Sequence, residues 1–276
     1  MMTKIFLFLA TIIPALTVTA QNTSSSTFIP KCPSEIYLGR VMEAPSMNKS
    51  KYEYCQTPFK SITVSFSIPA KSVSISPTKE AMMTAAQEAV KAKTFSQNQE
   101  FSFSGKEINN YDILKLLFGQ EISLPSLLGK KELQKTHKTL ALFDIRRVFF
   151  TMDMDLPESP VSEATQNQIY INSVGFGKRT FALIESNMSF ADIKTAIEEA
   201  FNSSTELSNK TSAILAHSNI HIINLGKSSA LLTNANNPFA GIKKYIMETP
   251  TEKDFGNIIT FSALYIKDNS PFVNKY

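Results

Sequence analysis

The alternation of apolar and polar positions along this chain predicts a protein rich in β-strands. Period-two alternation is typical of a strand with one buried face, and short apolar runs bounded by turn residues are typical of more deeply buried strands. On these criteria, strands are predicted at Ile62–Ile68, Leu140–Phe150, Gln168–Val174, Thr180–Glu185, Ile220–Leu225 and Ile258–Lys267.

The strands Gln168–Val174 and Thr180–Glu185 are joined by a short segment that begins with Gly175, Phe176 and Gly177. Glycine adopts a positive φ without steric cost, which a tight turn requires. The spacing therefore predicts a turn that joins Gln168–Val174 to Thr180–Glu185.

Capping residues predict helices between the strands. Ser189 and Asp192 form the capping box of a helix at Phe190–Phe201. Asn237 followed by Pro238 begins a helix that runs through Met247. Three further helices are predicted: one opened by Ser76 and Pro77 and continuing through Glu80–Lys93, one at Tyr111–Phe118 between Asn110 and Gly119, and one turn at Pro125–Leu128.

These elements form no repeat and show no linker, so they predict one α+β domain with a mainly antiparallel sheet flanked by helices. Residues 1–20 have the pattern of a secretory signal peptide, because Lys4 precedes an apolar run at Ile5–Leu16 that is too short to span a bilayer. A retained N-terminal anchor is the alternative. Residues 21–61 predict an irregular leader, and residues 62–276 form the core.

The expected export bears on the two cysteines, Cys32 and Cys55. An oxidising destination favours a disulfide between them, and two free thiols are the alternative. The net charge of +4 does not indicate a basic binding surface, because the basic pairs Arg146–Arg147 and Lys130–Lys131 are isolated from each other. Nucleic acid binding is not expected from such a distribution.

No constellation of catalytic residues is recognisable. His217 and His221 have the spacing of a metal pair on a helix, but the pattern around them predicts a strand and no third ligand is near. Asp153 and Asp155 are better explained as a solvated face than as an acid–base pair. The chain is therefore not expected to be an enzyme or to bind a cofactor or metal, although a secreted hydrolase stays as one alternative.

Two segments have the composition of membrane-inserting β-hairpins, with one lipid face and one aqueous face. The first is Phe150–Asn172 and the second is Asn202–Asn224, which is rich in Ser, Thr and Asn. A surface helix and loop are the alternative for both. The candidate lipid-facing residues are Phe150, Met152, Met154, Leu156, Ile169 and Ile171 in the first segment, and Leu207, Ala213, Leu215 and Ile222 in the second.

Three blocks of the sequence resemble conserved blocks of the cholesterol-dependent (thiol-activated) cytolysins. The longest, residues 169–201, is similar to the family pattern (V/I)SxVxYGRxxYxKxExxSxSxDVxAAF. The others read KTLALFDIRRVFFTMDMDLP (138–157) and ITFSALYIKDN (259–269). Residues in step with the longest pattern are Ser173, Val174, Phe176, Gly177, Lys178, Phe181, Glu185, Ser189, Asp192, Ile193, Ala196 and Phe201.

The resemblance implies a MACPF/CDC-like core: a bent, twisted, mainly antiparallel sheet of about four core strands with two helical clusters. In that family soluble monomers bind a membrane, assemble into a ring and convert the helical clusters into hairpins of a β-barrel. Carried over, the hairpins are Phe150–Asn172 and Asn202–Asn224. Gly226 is the implied hinge of a segment that covers the sheet edge. The family has an aromatic pair that stacks between subunits at the positions of Phe150 and Ile220. The same assembly core includes Gly175 and Gly177.

The implied partners are a lipid membrane, further copies of the chain and, because the first hairpin is short, a receptor or a longer cytolysin-like subunit. The chain contains no Trp and the resemblance ends near Tyr276. It does not cover the family's Trp-rich cholesterol-recognising domain, so cholesterol recognition stays open. A non-lytic interaction or regulatory protein built on the same core is the alternative to a pore-former.

Overall fold

A computed structural model describes residues 24–25, 27–31, 33–91, 95, 101–118, 124–128, 130–133, 135–157, 167–203, 206–225 and 237–275. The strands of this part of the chain are β1 (Ser24–Ser25), β2 (Val41–Glu43), β3 (Tyr54–Cys55), β4 (Ile62–Phe66), β5 (Val73–Ile75), β6 (Ser102–Glu107), β7 (Thr139–Met154), β8 (Gln168–Ser186), β9 (Ser218–Asn224), β10 (Asn257–Tyr265) and β11 (Asn274–Lys275). The α-helices are α1 (Lys79–Val90), α2 (Asp112–Phe118), α3 (Leu124–Leu127), α4 (Phe190–Asn202), α5 (Asn209–Ala216) and α6 (Pro238–Met247).

The centre of the fold is the antiparallel pair β7 and β8. These strands have 16 and 19 residues, so each is roughly 50 to 60 Å long at about 3.3 Å per residue. Their register runs from Thr139 opposite Ser186 to Asp153 opposite Ser173, with one irregularity between Val148 and Phe150. The other main strands pair with one of these two.

The predicted turn at Gly175 and Gly177 is wrong, because β8 passes through both glycines without reversing. The glycines instead allow neighbouring strands to approach closely. A Cβ on Gly175 would lie 2.3 Å from the Thr260 side-chain oxygen, and a Cβ on Gly177 would lie 2.0 Å from the Arg147 carbonyl oxygen. The predicted hairpin is therefore one long strand.

In the described part of the chain nine strands form the main sheet, and all their pairings are antiparallel. The α+β class and the antiparallel sheet are confirmed, and the sheet is larger than the predicted four core strands. At one end β10 and β2 pair with β8, while β4 pairs with β7. At the other end β6 pairs with β7 and β9 pairs with β8, which gives the order β6–β7–β8–β9.

Three apolar clusters surround this sheet. The first lies at the end that carries β2, β4 and β10 and includes the inward face of α1. The second lies between the opposite end of the sheet and helices α4, α5 and α6. The third lies between that same end and helices α2 and α3. The β6–β9 half of the sheet is therefore covered by helices on both faces.

The segment 21–61 is more ordered in its described part than the irregular leader that was predicted. β2 pairs with β8, with Val41 opposite Tyr170. Ile36, Met42 and Met47 are buried in the first apolar cluster. Its polar composition did not reveal this role, because the burial comes from isolated apolar residues without periodicity.

Helix starts follow the predicted capping chemistry with one shift. Ser189 accepts a hydrogen bond from the Asp192 amide, and Asn237 accepts one from the Phe239 amide. Asn110 accepts one from the Asp112 amide. At α1 the cap is Thr78, not Ser76, because the Thr78 hydroxyl reaches the Ala81 amide at 3.2 Å.

Candidate membrane-insertion and assembly site

Two long helical connections leave the sheet at the same end. The first helical connection, residues 108–138, joins β6 to β7 and contains α2 and α3. The second helical connection, residues 187–217, joins β8 to β9 and contains α4 and α5. The register places Glu107 near the start of β7, opposite Ala141, and Ser186 opposite both Thr139 and Ser218. Strands β6 and β8 therefore end, and β7 and β9 begin, at the same edge of the sheet.

The first helical connection packs on one face of the sheet through apolar contacts. Leu114 and Phe118 of α2 are buried against Leu183 and Phe181 of β8. The rings of Phe118 and Phe181 meet edge to face, with 5.0 Å between their centroids. Burial of this kind stabilises the helical state by about 1.5–3 kcal/mol for each large side chain.

The second helical connection covers the opposite face. Ile193, Ile197 and Phe201 form the buried stripe of α4, which is the three- and four-residue spacing of an amphipathic helix. The Phe201 ring lies 5.8 Å from the Phe103 ring of β6. Helix α6 shares this cluster through Phe239.

Polar contacts fix α5 against α4 within the second helical connection. Glu199 accepts hydrogen bonds from the Thr211 hydroxyl at 2.6 Å and from the Ser208 amide at 2.7 Å. These donors hold the pKa of Glu199 below its usual value. Ser189 and then Lys210, whose ammonium lies 3.1 Å from the carboxylate, lower the pKa of Asp192.

The first predicted hairpin, Phe150–Asn172, does not coincide with a helical connection. Phe150, Met152 and Met154 are in β7, while Ile169 and Ile171 are in β8; all five side chains are buried in the first apolar cluster. Leu156 follows β7 and is 61% exposed. Residues 158–166 lie outside the described part of the chain.

The second predicted hairpin, Asn202–Asn224, overlaps the second helical connection and continues into β9. Leu207 and Ile222 are partly buried against the second apolar cluster, to which the buried Leu215 belongs. Ala213 is exposed on α5. Leu207, Ala213 and Leu215 therefore lie in a segment that is largely helical or irregular, and only Ile222 lies in a strand.

The predicted assembly residues are not close together. Phe150 stacks on Phe176 at 4.8 Å between ring centroids, whereas Ile220 is opposite Ile184, further along β8. Gly226 lies outside the described residues. Cys55 Sγ lies 3.2 Å from Glu43 Oε1. Cys32 lies outside the described residues, so the disulfide between them stays a prediction.

The described residues contain no group of side chains arranged to hold a metal ion. His217 is exposed and His221 is on β9, and no group of three His, Cys, Asp or Glu residues there can hold a metal ion. No helix in the same ranges is long and apolar enough to cross a membrane. The sequence predicts the helices of the first helical connection. It does not show that this connection matches the second in length and position, because that comparison requires the strand order.

Neither a family model nor a curated protein matches the chain. Solved structures match over 92% of this chain. Pneumolysin has a TM-score of 0.73 and 13% identity, with 62% of its chain covered. Intermedilysin with human CD59 has a TM-score of 0.67, 16% identity and 60% coverage, and suilysin from Streptococcus suis has a TM-score of 0.68, 16% identity and 64% coverage. The chain thus spans about three fifths of the length of these solved chains. Suilysin is a cytotoxin and intermedilysin a human-specific toxin.

Proposed function

Because the chain has the fold of the cholesterol-dependent cytolysins, we propose that it is a secreted, non-enzymatic pore-forming protein. Copies of it bind a target membrane, assemble into a ring and insert β-hairpins that form a barrel. The observation that carries this proposal is the pair of helical connections, of equal length, that leave strands β6 to β9 at one edge.

Each helical connection is long enough to become a membrane-spanning hairpin. A barrel strand needs about 9–11 residues to cross the bilayer, so two strands and a turn need about 20–24. Residues 108–138 and 187–217 both exceed this length. When extended, the first would continue β6 and β7 as one hairpin, and the second would continue β8 and β9 as another.

This assignment moves the first proposed hairpin from Phe150–Asn172 to residues 108–138. Phe150–Asn172 begins in β7 and ends in β8, where both strands are buried. It connects the ends of β7 and β8 that lie opposite to the edge with the two helical connections. Extending it would break the first apolar cluster. Extending 108–138 would break the third apolar cluster, where α2 and α3 pack on the sheet, but would leave the strand pairing intact.

The second helical connection has a suitable pattern for a barrel strand. In an extended chain, alternate residues face opposite sides. If the register of Ser186 opposite Ser218 continues, Ile193, Ile197 and Phe201 share one side with Leu207, Ala213 and Leu215. We propose this side as the lipid face, although it also carries Glu199 and Thr211. The opposite side would carry most of the charged residues, Asp192, Lys194, Glu198 and Lys210, together with Phe190 and Ile214.

Ring assembly is supported by the outer strands of the same half of the sheet. Within the described residues β6 pairs only with β7, and β9 only with β8. Such edges are templates for pairing with another chain. We infer that β6 of one copy pairs with β9 of the next, directly or after a covering segment at Gly226 moves. A receptor or a longer cytolysin-like subunit is a further proposed partner, and cholesterol recognition is left to experiment.

Dye release from liposomes tests the proposal. The mature protein, residues 21–276, is added to vesicles with and without cholesterol, and assemblies are imaged by electron microscopy. We expect rings and leakage, and the comparison of the two lipids reports whether sterol is needed. Rings without leakage would instead favour a non-lytic interaction protein, and neither rings nor leakage would contradict pore formation by this chain alone.

A matched pair of variants tests the second hairpin. Ala213 and Ser212 are both exposed on α5, so Ala213→Arg and Ser212→Arg should leave the soluble fold unchanged. In the barrel Ala213 faces lipid, where an arginine costs up to about 2–4 kcal/mol, whereas Ser212 faces water. Ala213→Arg should therefore suppress leakage at least tenfold relative to Ser212→Arg. Equal leakage from both variants would rule out this assignment of faces.

A further inference from the structure

One carboxylate is buried where the first helical connection meets the sheet. Glu185 lies near the end of β8 and its side chain is 1% exposed. Among the described residues it is the only acidic side chain that is buried. Leu140 of β7 and Asn219 of β9 lie opposite it on either side. A buried charge of this kind is costly unless it is paired.

The partners of Glu185 come from the two sides of the helix pair α2–α3 in the first helical connection. The Tyr111 hydroxyl, just before α2, donates to Glu185 Oε1. The Lys130 ammonium, just after α3, lies 2.6 Å from the same oxygen and 2.9 Å from the Tyr111 hydroxyl. A single carboxylate therefore ties the segment before α2 and the segment after α3 to one strand.

Two histidines complete the group around the second carboxylate oxygen. Nδ1 of His137, just before β7, lies 4.0 Å from Glu185 Oε2, and Nε2 of His221 on β9 lies 3.9 Å from it. Burial raises the pKa of Glu185 and lowers that of Lys130. Burial and then the charge of Lys130 lower the pKa of His221. The Glu185 carboxylate and the Lys130 ammonium are thus poorly solvated and depend on each other, while the lowered pKa of His221 favours its neutral form.

The second helical connection has no equivalent among the described residues. Its charged contacts, Asp192 with Lys210 and Glu199 with Thr211, join α4 to α5 within the connection. On the sheet side α4 and α5 present mainly apolar side chains. The two connections are therefore held to the sheet by different chemistry.

We propose that Glu185, with Tyr111 and Lys130, is an autoinhibitory latch that keeps the first helical connection folded on the sheet and so controls when its hairpin is released. This rests on the proposed function, since it assumes that residues 108–138 convert. Breaking the latch leaves a desolvated charge and frees the segments on both sides of the helix pair α2–α3 together. The second helical connection, held mainly by apolar packing, is independent of this latch.

Hydrogen–deuterium exchange of the soluble protein tests the latch without a membrane. Glu185→Gln should raise exchange in residues 108–118 and 124–133 by about tenfold or more while residues 187–217 stay as in the wild type. The control is Asp144→Asn, which removes the carboxylate 2.6 Å from buried Arg179 in the same sheet and contacts neither connection. It should not raise exchange selectively in 108–133. Unchanged exchange in Glu185→Gln, or an equal rise in both connections, would overturn the proposal.

A milder variant keeps the test valid should Glu185→Gln not fold. Tyr111→Phe removes the hydroxyl and with it the hydrogen bonds to Glu185 and from Lys130. It leaves the Lys130–Glu185 ion pair, so it should produce a smaller selective rise in exchange of the same residues. Liposome leakage then separates the two proposals. Selective exchange with no leakage from any variant would retain the latch and refute pore formation. Leakage with the same lag in wild type and variants, and with unchanged exchange, would refute the latch and retain pore formation.

Discussion

Gly175 and Gly177 allow neighbouring segments to approach β8 closely and do not form a turn. Glycine is required either for a positive φ or for close approach of another chain segment. In β8 only the second purpose applies, because both residues lie within a continuous strand. The group that an added Cβ would meet differs between the two positions: it is the Thr260 side chain at Gly175 and the Arg147 backbone at Gly177.

This difference predicts a rescue at one glycine only. Gly175→Ala should lower the melting temperature by several degrees, because its Cβ would lie 2.3 Å from Thr260 Oγ1. Adding Thr260→Ala removes that oxygen and should restore most of the loss. Gly177→Ala meets a backbone oxygen at 2.0 Å, so no side-chain substitution should restore it. Thermal unfolding of the variants measures both effects, and an unrescued Gly175→Ala would contradict the predicted cause.

Phe150 is expected to contribute to stability through the core. Its side chain is 2% exposed and stacks on Phe176. Phe150→Ala should reduce the free energy of unfolding by about 3–5 kcal/mol, the usual cost of removing a buried phenylalanine. Leu156→Ala, at a side chain that is 61% exposed, should change it by less than about 0.5 kcal/mol. Urea denaturation compares them, and similar losses in the two variants would contradict the assigned burial.

At the scale of elements, the helix pair α4–α5 is joined by carboxylates whose pKa values are lowered by their partners. A carboxylate with a lowered pKa in the folded state stabilises that state above its unfolded pKa, about 3.9 for Asp and 4.3 for Glu. The stabilisation is lost as the pH falls through the lower, folded value. Acidification should therefore loosen α5 from α4.

A single tryptophan can report this loosening, because the chain contains none. Leu207→Trp places the reporter between α4 and α5, where Leu207 packs against the second apolar cluster. Its fluorescence should change as the pH falls below about 4, and adding Glu199→Gln should reduce that change. Asp268, whose pKa is lowered by Ser270 away from these helices, provides the control Asp268→Asn. An identical titration with and without Glu199→Gln would show that Glu199 is not responsible.

At the scale of the whole molecule, the sheet is the fixed part and the two helical connections are the replaceable parts. Strands β7 and β8 carry all three apolar clusters, so they hold the fold together. Helices α1 and α6 lie outside the connections. Pore formation as proposed changes α2 to α5 and leaves these other elements in place.

Circular dichroism in liposomes tests this division. On insertion, helical signal should fall because α2, α3, α4 and α5 convert, while a residual helical signal from α1 and α6 persists and β signal rises. The non-leaking variant Ala213→Arg, measured under the same conditions, should retain its helical signal if it is blocked before insertion. Leakage accompanied by an unchanged helical signal would contradict conversion of the connections.

The sequence alone determined most element types and several helix ends, because these depend on local chemistry. Alternation predicted β4, β7 and β9, and the caps Ser189 and Asn237 were recognised as hydrogen-bond acceptors before helices. The resemblance of three sequence blocks pointed to the cytolysin fold, which the solved structures support at 12–17% identity. Local periodicity and capping do not require knowledge of which strands are neighbours.

Only the tertiary structure decided the strand order and the position of the candidate hairpins. The continuity of β8 depends on what faces Gly175 and Gly177, and the latch depends on Tyr111, Lys130 and Glu185 meeting across 74 residues of chain. Amphipathic alternation at Phe150–Met154 predicts a lipid face, but in the folded protein these apolar side chains lie in the first apolar cluster. The pattern records that one face avoids water, and only the fold decides whether lipid or protein covers it.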